Sequence, residues 1–535
     1  MKRRVSFIHD AEGDFDPKKA RLGPDSITIQ SLHGARQERL TFGIQELPGE
    51  IQQVVKQCHE LRIRWASERA YSAVSPLTSR VSPGIHVFLS PRRNNSPQLC
   101  PLLRKAFGAD VTCTTPEVSF VSNGPSKSGA SSSMQFYQLL PSLDQLVVYL
   151  QAAICSEQDT ECGDYASLVR SADTLDIDYN QALHSFDVTV YWSEPTRKSG
   201  WTDIVRNRNI SKDKVDVGIL ASQEPLELDE LKFGGLLAVV GRDTELKPTL
   251  FSFPSRHHPL PNSATYRSEF LSPTGLHPTL QLSIPQPGLS RPPAPSDITC
   301  GLYTYITLPS YIFADRYQLS TTDTLFLKSH NIHKLDHIAG ETDLEAPDWL
   351  TQRWGSHMLV ELATPPSNDK QGKNTGTHVY GDWEATIPLH LRYLHPSKSG
   401  YRNVSIPWPV VFWACVSKDT EKMKTNPFDR TRLGWDDLFG PQTYFYHLHP
   451  LPRKPMNPLE LQASELVENI QVPVLRVDKN SNPVVQQARA IEYGTIAVIL
   501  LGFLWILYKL GSVSNGSFNI CGVSRATANK KNKSH

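Results

Sequence analysis

The sequence predicts a mainly β protein with antiparallel, β-sandwich-like domains, a few short helices and one C-terminal transmembrane helix. Short runs in which apolar and polar residues alternate recur along most of the chain, as they do in half-buried strands. The chain has 40 prolines and only 5 methionines, which favours turns and strand edges over long helices. Residues 493–508 contain no charged side chain, which is typical of a membrane-spanning helix.

Length and charge limit the class of protein. A chain of 535 residues is too long for one ordinary core, so at least two folded units are expected. Its hydrophobic content of 39% and charged content of 20% are typical of a folded protein. Lys and Arg number 55 against 54 Asp and Glu. This balance gives no sign of the basic surface that binds nucleic acid, so nucleic acid is not expected as a partner.

The cysteines indicate neither a zinc site nor a redox motif, because no pair has C-x-x-C spacing. If Cys521 lies beyond the membrane, seven remain on the other side, so at least one is unpaired within the monomer. We therefore expect no disulfide-dense scaffold. The eight cysteines are Cys58, Cys100, Cys113, Cys155, Cys162, Cys300, Cys415 and Cys521.

The N-terminal half begins with residues 1–25, which are charged and predicted to be disordered. Residues 26–247 are predicted to form an N-terminal β-rich domain, which the orientation argued below places in the lumen. Two stretches in it, 49–62 and 142–153, are predicted helices, and Ser142 is the expected N-cap of the second. The strand-like runs are 26–32, 39–44, 84–90, 118–122 and 187–192.

The C-terminal half follows a proline-rich stretch. Residues 248–298 contain eleven prolines and are predicted to be a linker or long loop. Residues 299–475 are predicted to form a second β-sandwich domain, because strand-like runs follow one another there without long helices. These runs are 302–308, 386–393 and 404–415. The predicted segments after this domain are a juxtamembrane segment at 476–492, a transmembrane helix at 493–511 and a tail at 512–535.

The uncharged stretch predicts a membrane span, and the charges beside it predict which side of the membrane each end of the chain occupies. Its sixteen residues cover roughly 24 Å, slightly less than the ~27 Å hydrocarbon layer of the endoplasmic reticulum. Lys509 can snorkel, so residues 510–511 extend the apolar length. A buried core helix is the alternative, which the polar tail disfavours. Lysines and an arginine follow the span without any acid, so the C-terminus is predicted to be cytosolic and the bulk of the chain lumenal.

Short motifs agree with this placement in the endoplasmic reticulum. Lys531 and Lys533 lie fifth and third from the end, as in a dilysine retrieval signal. Asn94, Asn209 and Asn403 begin glycosylation sequons, the first of which is disfavoured by a following proline. The first 21 residues contain no apolar core of a signal peptide. A lumenal location therefore requires another translocation route or a different start codon.

Two sequence motifs lie between residues 300 and 416. An L-P…F-x-D-x-Y-x-L pattern is formed by Leu308, Pro309, Phe313, Asp315, Tyr317 and Leu319. A P-x-H-x-R-Y-x-x-P pattern is formed by Pro388, His390, Arg392, Tyr393 and Pro396. Together with residues 343–347, Pro407 and Pro409, these motifs resemble those of the PIG-X family in order and spacing. The long N-terminal half makes the chain similar to the fungal branch, the protease-B-nonderepressible proteins.

The resemblance implies a role in GPI-anchor biosynthesis. PIG-X proteins are single-pass, non-catalytic stabilising subunits of GPI mannosyltransferase I in the endoplasmic reticulum. That enzyme transfers the first mannose from dolichol-phosphate-mannose to the glycolipid precursor. The resemblance therefore implies a polytopic catalytic partner of the PIG-M type and no catalytic residue, metal or cofactor in this chain. A general lumenal chaperone for folding or processing of secretory proteins is the alternative.

The residues themselves offer little for catalysis, since no G-x-S-x-G elbow, Walker loop or H-E-x-x-H helix is present. The D-x-D patterns at 14–16 and 176–178 have the spacing found in some sugar transferases. They are predicted to lie in the disordered tail and at a strand edge. His257-His258 and His447-x-His449 lie beside prolines, so we expect exposed loop histidines instead of zinc ligands.

Two interpretations of the first family motif remain open. In one, Asp315 bonds to nearby backbone in a turn that ends a strand, with Phe313 packed inward. In the other, Asp315 and Tyr317 belong to a lumenal surface that binds the catalytic subunit. The sequence favours neither.

The second motif is interpreted structurally. Arg392 and Tyr393 are expected to orient the edge of the sandwich, with Arg392 pairing with a carboxylate. Cys300 and Cys415 begin and end the matched region. They are a candidate disulfide between two sheets.

Overall fold

A computed structural model of the chain describes residues 1–9, 15–92, 98–122, 133–155, 159–225, 227–272, 274–294, 298–344, 346–365, 382–416, 426, 428, 430–452, 465–477 and 483–517. The chain forms two compact units. One consists of Met1–His395 and Arg402–Pro473, and the other of Pro396–Tyr401 and Val474–His535. The prediction of a mainly β fold with few short helices and one C-terminal apolar helix is confirmed.

The N-terminal half is built on an eleven-stranded sheet. Its strands lie in the order β14-β13-β12-β1-β4-β10-β9-β5-β6-β8-β7, and neighbours are antiparallel except β1 and β12, which are parallel. Strands β11, β3 and β2 form a separate sheet. The strands are β1 Lys2–His9, β2 Ala20–Leu22, β3 Ser26–Leu32, β4 Ala35–Gly43, β5 Cys58–Ala66, β6 Gly84–Pro91, β7 Val121–Ser122, β8 Met134–Gln138, β9 Thr174–Asn180, β10 Ser185–Trp192, β11 Trp201–Arg206, β12 Lys214–Gln223, β13 Glu230–Val239 and β14 Lys247–Pro254.

The C-terminal half contains two main sheets, β15-β26-β25-β18-β21-β20 and β22-β17-β16-β27, and the pairs β19-β23 and β24-β28. The Tyr266 hydroxyl of β16 donates to the carbonyl of Pro409, the residue before β25, at 2.6 Å, so the two sheets lie close together at this point. The strands are β15 His257–His258, β16 Thr265–Phe270, β17 Thr279–Ile284, β18 Thr299–Pro309, β19 Ile312–Phe313, β20 Ile332–Gly340, β21 Gly355–Leu362, β22 Trp383–Pro388, β23 His390–Leu391, β24 Tyr401–Pro407, β25 Val410–Val416, β26 Thr443–His447, β27 His449–Pro450 and β28 Val467–Pro473.

The helices are short except for the last one. Within that last helix, Ala490–Ser512 is 23 residues long and apolar enough to cross a membrane, and no other helix among the described residues meets this test. It includes the predicted span at 493–511. The helices are α1 Gly49–Val55, α2 Leu99–Phe107, α3 Pro116–Ser119, α4 Asp144–Ala153, α5 Thr160–Leu168, α6 Gln286–Leu289, α7 Arg316–Leu319, α8 Thr324–Ser329 and α9 Pro483–Ser517.

The prediction of a disordered N-terminus is wrong for β1, which lies between β4 and β12 inside the large sheet. Val5 and Phe7 of this strand are fully buried. The basic residues that suggested disorder have acidic partners on the neighbouring strand, as in the Arg3 Nε–Glu38 Oε1 pair at 2.6 Å. Charge alone was therefore misleading, because the partners lie 35 residues away.

The prediction of a linker or long loop at 248–298 is also wrong. This stretch contains β15, β16, β17 and α6 and nearly all of β14. Proline is tolerated on edge strands and at strand ends, where no ladder hydrogen bond is lost. Pro248 lies in β14, an edge of the large sheet, and Pro254 ends that strand. A high proline content here marks short strands and turns.

Two local predictions need correction as well. The helix expected over 49–62 ends at Val55, and the chain continues as β5. The run at 118–122 is divided between the end of α3 and β7. Leu143, not Ser142, is the N-cap of α4, while the Ser142 hydroxyl donates to Asp144 at 2.9 Å.

Three disulfides are present in the described residues, Cys100–Cys113, Cys155–Cys162 and Cys300–Cys415. Cys300 and Cys415 lie directly opposite each other on β18 and β25. The expected Cys300–Cys415 disulfide is therefore present. The prediction that it joins two sheets is wrong, because it joins neighbouring strands of one sheet. Cys58 is free and buried, and its burial raises the pKa of the thiol to about 12.

Removing the Cys300–Cys415 bridge is expected to destabilise the first unit. The bridge closes a loop with a sequence separation of 115, so the double variant Cys300→Ala/Cys415→Ala should lose about 2–4 kcal/mol through the greater freedom of the unfolded chain. Urea unfolding without reductant measures the change. The matched control is Cys155→Ala/Cys162→Ala, whose bridge spans a separation of only 7 and should matter less. A larger loss in the control would contradict the prediction.

Candidate functional site

Arg392 organises the region that carries the family motifs. It follows β23 directly and is only 2% exposed. Its guanidinium lies over the Phe313 ring, 4.2 Å from the centroid, and donates to backbone carbonyls. The acceptors are Ser310 (3.0 Å), Glu341 (3.3 Å), Asp343 and Ala346 (2.8 Å). These hydrogen bonds go to carbonyls, while the expected carboxylates, Glu341, Asp343 and Asp348, act on Arg392 through their charge and oppose the lowering of its pKa by burial.

His390 and Phe313 connect the two sequence motifs. They lie opposite each other where β19 pairs with β23, and their rings stack with centroids 5.4 Å apart. His390 Nδ1 is 3.0 Å from Nδ1 of His277. Burial lowers the pKa of His390, and the neighbouring His277 lowers it further. This contact is a structural link between motifs that are about 75 residues apart in the sequence.

The structure favours the turn interpretation for Asp315 and leaves Tyr317 free for the surface interpretation. Asp315 is the N-cap of α7 and accepts from the backbone N–H groups of Tyr317 at 2.8 Å and Gln318 at 3.3 Å, while Phe313 is buried. This geometry favours the turn interpretation for Asp315. Tyr317 is 82% exposed, so its side chain is available for a contact.

The other motif residues mostly shape the chain. Leu308 and Leu319 are buried, and Pro309, Pro388 and Pro407 are the last residues of β18, β22 and β24. Pro409 is buried immediately before β25. Pro396 is exposed and belongs to the second unit. The structure thus brings residues of both motifs together around Arg392.

An exposed aromatic surface, consisting of Leu344, Trp349, Leu350 and Tyr393, adjoins the buried Arg392. The Asp348 N–H donates to the Tyr393 carbonyl at 3.1 Å, and the Trp349 ring stacks on His395 with centroids 4.8 Å apart, so the segment that carries Trp349 lies next to the segment that carries Tyr393. Tyr393 is 68% and Trp349 47% exposed. Sequence reasoning missed Trp349 and Leu350. The sequence did contain a sign of them, because Trp349 and Leu350 are adjacent apolar residues in a polar stretch just after the 343–347 motif.

Both aspartates of the D-x-D pattern at 176–178 form ion pairs with arginines. Asp176 and Asp178 lie on β9, between β10 and β5, so the predicted strand-edge position is wrong. Arg64 Nη2 is 2.5 Å from Asp178 Oδ1, and Arg430 pairs with Asp176. Asp14 of the first pattern lies outside the described residues. In the described part of the chain, no group of three or more His, Cys, Asp or Glu could hold a metal ion.

The expectation of exposed loop histidines is wrong. His257 and His258 form β15, which pairs with β26, and His257, His258 and His447 are buried. The His257 ring packs edge-on against Trp435, with centroids 5.7 Å apart. These rings therefore fill the core, and the adjacent prolines did not mark exposed loops.

Lowering the pH from 7 to 5 is expected to destabilise the fold through buried histidines such as His357, which packs against His337, Tyr305 and Trp354. Burial, together with His337 and His86, lowers the pKa of His357 from 6.5 to about 3. Below pH 6.5 the unfolded chain binds a proton that the folded chain does not, so stability present above pH 6.5 is lost as pH falls towards 3. At pH 5 this amounts to about 2 kcal/mol.

Urea unfolding at both pH values measures this loss. His357→Gln should lose less stability between pH 7 and pH 5 than the unaltered chain does. The exposed His59 provides the control, and His59→Gln should keep the full pH dependence. An unchanged dependence in His357→Gln would refute the assignment to His357.

Only some of the residues predicted for glycosylation and retrieval lie in the described part of the chain. Asn209 and Asn403 are exposed, a position that glycosylation requires. Asn94, Lys531 and Lys533 lie outside the described residues. Glycosylation and retrieval therefore remain predictions.

Comparisons with known proteins identify the family. The family model for PIG-X / PBN1 matches residues 273–511, which extends beyond the motifs on both sides. The chain is 48% identical to Protein pbn1 of Aspergillus oryzae, over 96% of this chain and 97% of that protein. It is 37% identical to Protein pbn1 of Neurospora crassa, with 97% and 96% covered. Similarity to Protein PBN1 of Yarrowia lipolytica, at 32% identity, covers 34% of this chain and 35% of that protein. The chain therefore belongs to the PIG-X / PBN1 family.

Proposed function

We propose that this chain is a non-catalytic stabilising subunit of GPI mannosyltransferase I in the endoplasmic reticulum, needed for transfer of the first mannose. The observation that carries the proposal is the exposed aromatic surface, which lies beside the buried Arg392 within the family motifs. Tyr and Trp are enriched among the residues that dominate binding energy at protein interfaces. A soluble surface has little other reason to expose them together.

The contacts of the motif residues favour association over catalysis. Arg392 is occupied by backbone carbonyls, and Asp315 by backbone N–H groups. A catalytic acid or base must be able to reach a substrate proton, and the contacts of both groups support a structural role instead. The exposed members of the same region, Trp349 and Tyr393, carry chemistry suited to a protein contact.

The proposed topology places the bulk of the chain in the lumen and the C-terminus in the cytosol. The apolar stretch Ala490–Ser512 provides the anchor, and the basic residues after it favour a cytosolic tail. The three disulfides support a lumenal location, because disulfides persist in oxidising compartments. The partner in this proposal is a polytopic catalytic mannosyltransferase subunit.

Stabilisation by association is the proposed mechanism. A subunit that binds only the folded state of its partner shifts the folding equilibrium of that partner towards the folded state. The partner is then degraded less often, because fewer molecules are unfolded at any time. Anchoring both proteins in one membrane raises their effective concentration and favours a lumenal contact of modest area.

A pull-down from solubilised membranes, through a tag placed before residue 493, tests the partnership. Mass spectrometry should show one polytopic mannosyltransferase in a stoichiometric amount. Recovery of many unrelated secretory proteins without that transferase would contradict the proposal and favour the general chaperone.

A further inference from the structure

A large apolar cavity lies against the eleven-stranded sheet of the N-terminal half. Its volume is about 530 Å³. Part of its floor is a row of four residues that lie side by side on adjacent strands, Leu40 on β4, Val188 on β10, Ile177 on β9 and Ile63 on β5. Four strands at a spacing of about 4.8 Å give this floor a length of roughly 14 Å. The floor is therefore continuous and aliphatic.

Helices α1, α2, α4 and α5 form the opposite wall, with Val54, Leu103 and Leu146 among the lining residues. The Cys155–Cys162 disulfide joins the end of α4 to the start of α5 beside the cavity. Ile177 and Val188 lie in the interior of the sheet and yet are only partly buried. Side chains at such positions are normally packed, so the helices leave real space above them.

Most charged side chains that line the cavity lie at its partly exposed rim, and the largely buried exception, Arg3, is paired with Glu38. Arg206 and Arg208 line the rim and are about half exposed, and they face Asp159 and Glu161. Arg208 Nη1 lies 2.9 Å from Asp159 Oδ2. Both signs of charge are present there, so the rim does not select an ionic headgroup, and recognition depends on the apolar interior.

We propose that this cavity binds a single long hydrocarbon chain of a lipid, with its polar head at the rim. A peptide segment would bring many backbone N–H and C=O groups into an interior that offers only a few polar side chains, among them Arg3, Tyr165 and Asn207. Most of those backbone groups would stay unpaired, which is costly. A hydrocarbon chain carries no such groups. Its burial is favourable in proportion to the apolar area removed from water.

Size and location agree with this ligand. The volume of about 530 Å³ lies within the range of about 300–1,000 Å³ that is typical of ligand pockets. It is several times larger than engineered core cavities of about 150 Å³ that stay dry. The candidate membrane span at Ala490–Ser512 would keep the protein next to a source of acyl chains. The inference is independent of the proposed subunit role.

Photolabelling of the full chain in phosphatidylcholine nanodiscs tests the proposal. One arm uses palmitic acid with a diazirine and an alkyne, and the other uses phosphatidylcholine with the same acyl chain. Mass spectrometry should map the label to peptides from 35–66 or 174–192, the floor strands. Labelling in the first arm alone identifies a free fatty acid as the ligand, and labelling in the second identifies a membrane phospholipid.

Two tryptophan variants complete the test. Val188→Trp fills the cavity and should reduce labelling of the floor strands at least about tenfold, because excluding two or more methylenes already removes that much affinity. Val148 lies on α4 and is exposed, so Val148→Trp should label like the unaltered chain. Full labelling of a folded Val188→Trp would overturn the proposal. Label confined to α9 of the unaltered chain would overturn it even if that variant does not fold.

Discussion

Arg392→Ala is expected to unfold or strongly destabilise the region around the family motifs. The side chain is buried and donates to the carbonyls of Ser310, Glu341, Asp343 and Ala346. Removing a buried charge-assisted donor leaves these acceptors without a partner, at a cost of about 1–3 kcal/mol for each group that water cannot reach. We expect a total loss of about 3–5 kcal/mol of unfolding free energy, measured by urea or thermal unfolding.

Two further variants separate geometry from charge. Arg392→Lys keeps the charge but cannot reproduce the planar fork of donors, so it should recover only a minor part of the lost stability. Arg316 is exposed on α7, so Arg316→Ala should change stability by less than about 0.5 kcal/mol. Equal stability of Arg392→Ala and Arg316→Ala would show that the carbonyl contacts contribute little.

Trp349→Ala/Tyr393→Ala is expected to release the catalytic partner while the chain stays folded. Tyr393 is 68% and Trp349 47% exposed, and the Trp349 ring stacks on His395, so truncation removes a surface contact and leaves the core intact. If they are interface hot spots, each is worth about 2 kcal/mol or more, which corresponds to about 30-fold in affinity. Quantitative pull-down of the transferase measures the loss, and thermal unfolding shows whether the fold is intact.

The matched control is Leu250→Ala on β14, another exposed apolar residue that lies far along the sequence from the aromatic surface. It should retain the partner at the level of the unaltered chain. Undiminished recovery of the transferase by a folded Trp349→Ala/Tyr393→Ala variant would exclude the aromatic surface as the main contact.

Much of the fold was predictable because local alternation marks strands directly. The run 26–32 coincides with β3, and 84–90 lies within β6. The long apolar helix over 493–511 was predictable because its uncharged sequence is long enough to cross a hydrocarbon layer. What failed depended on distant partners. Glu38 stabilises the basic strand β1, and edge positions accommodate the prolines of β14.

The candidate site was predictable only as a set of motifs. Sequence spacing drew attention to Arg392 and Tyr393, but it gave no sign that one is buried against carbonyls while the other is exposed. Their different roles depend on the carbonyls of Glu341, Asp343 and Ala346, which contact Arg392 only in the folded chain. Trp349 belongs to neither family motif, and only the folded chain brings the segment that carries it next to Tyr393.

The most direct measurement of the subunit proposal is the abundance of the catalytic mannosyltransferase, and its first-mannose transfer activity, in cells that lack this chain. We predict that abundance and activity both fall, and that raising the level of the catalytic subunit restores transfer, because the chain acts by stabilising its partner. Unchanged abundance and unchanged transfer in the absence of the chain would contradict the proposal.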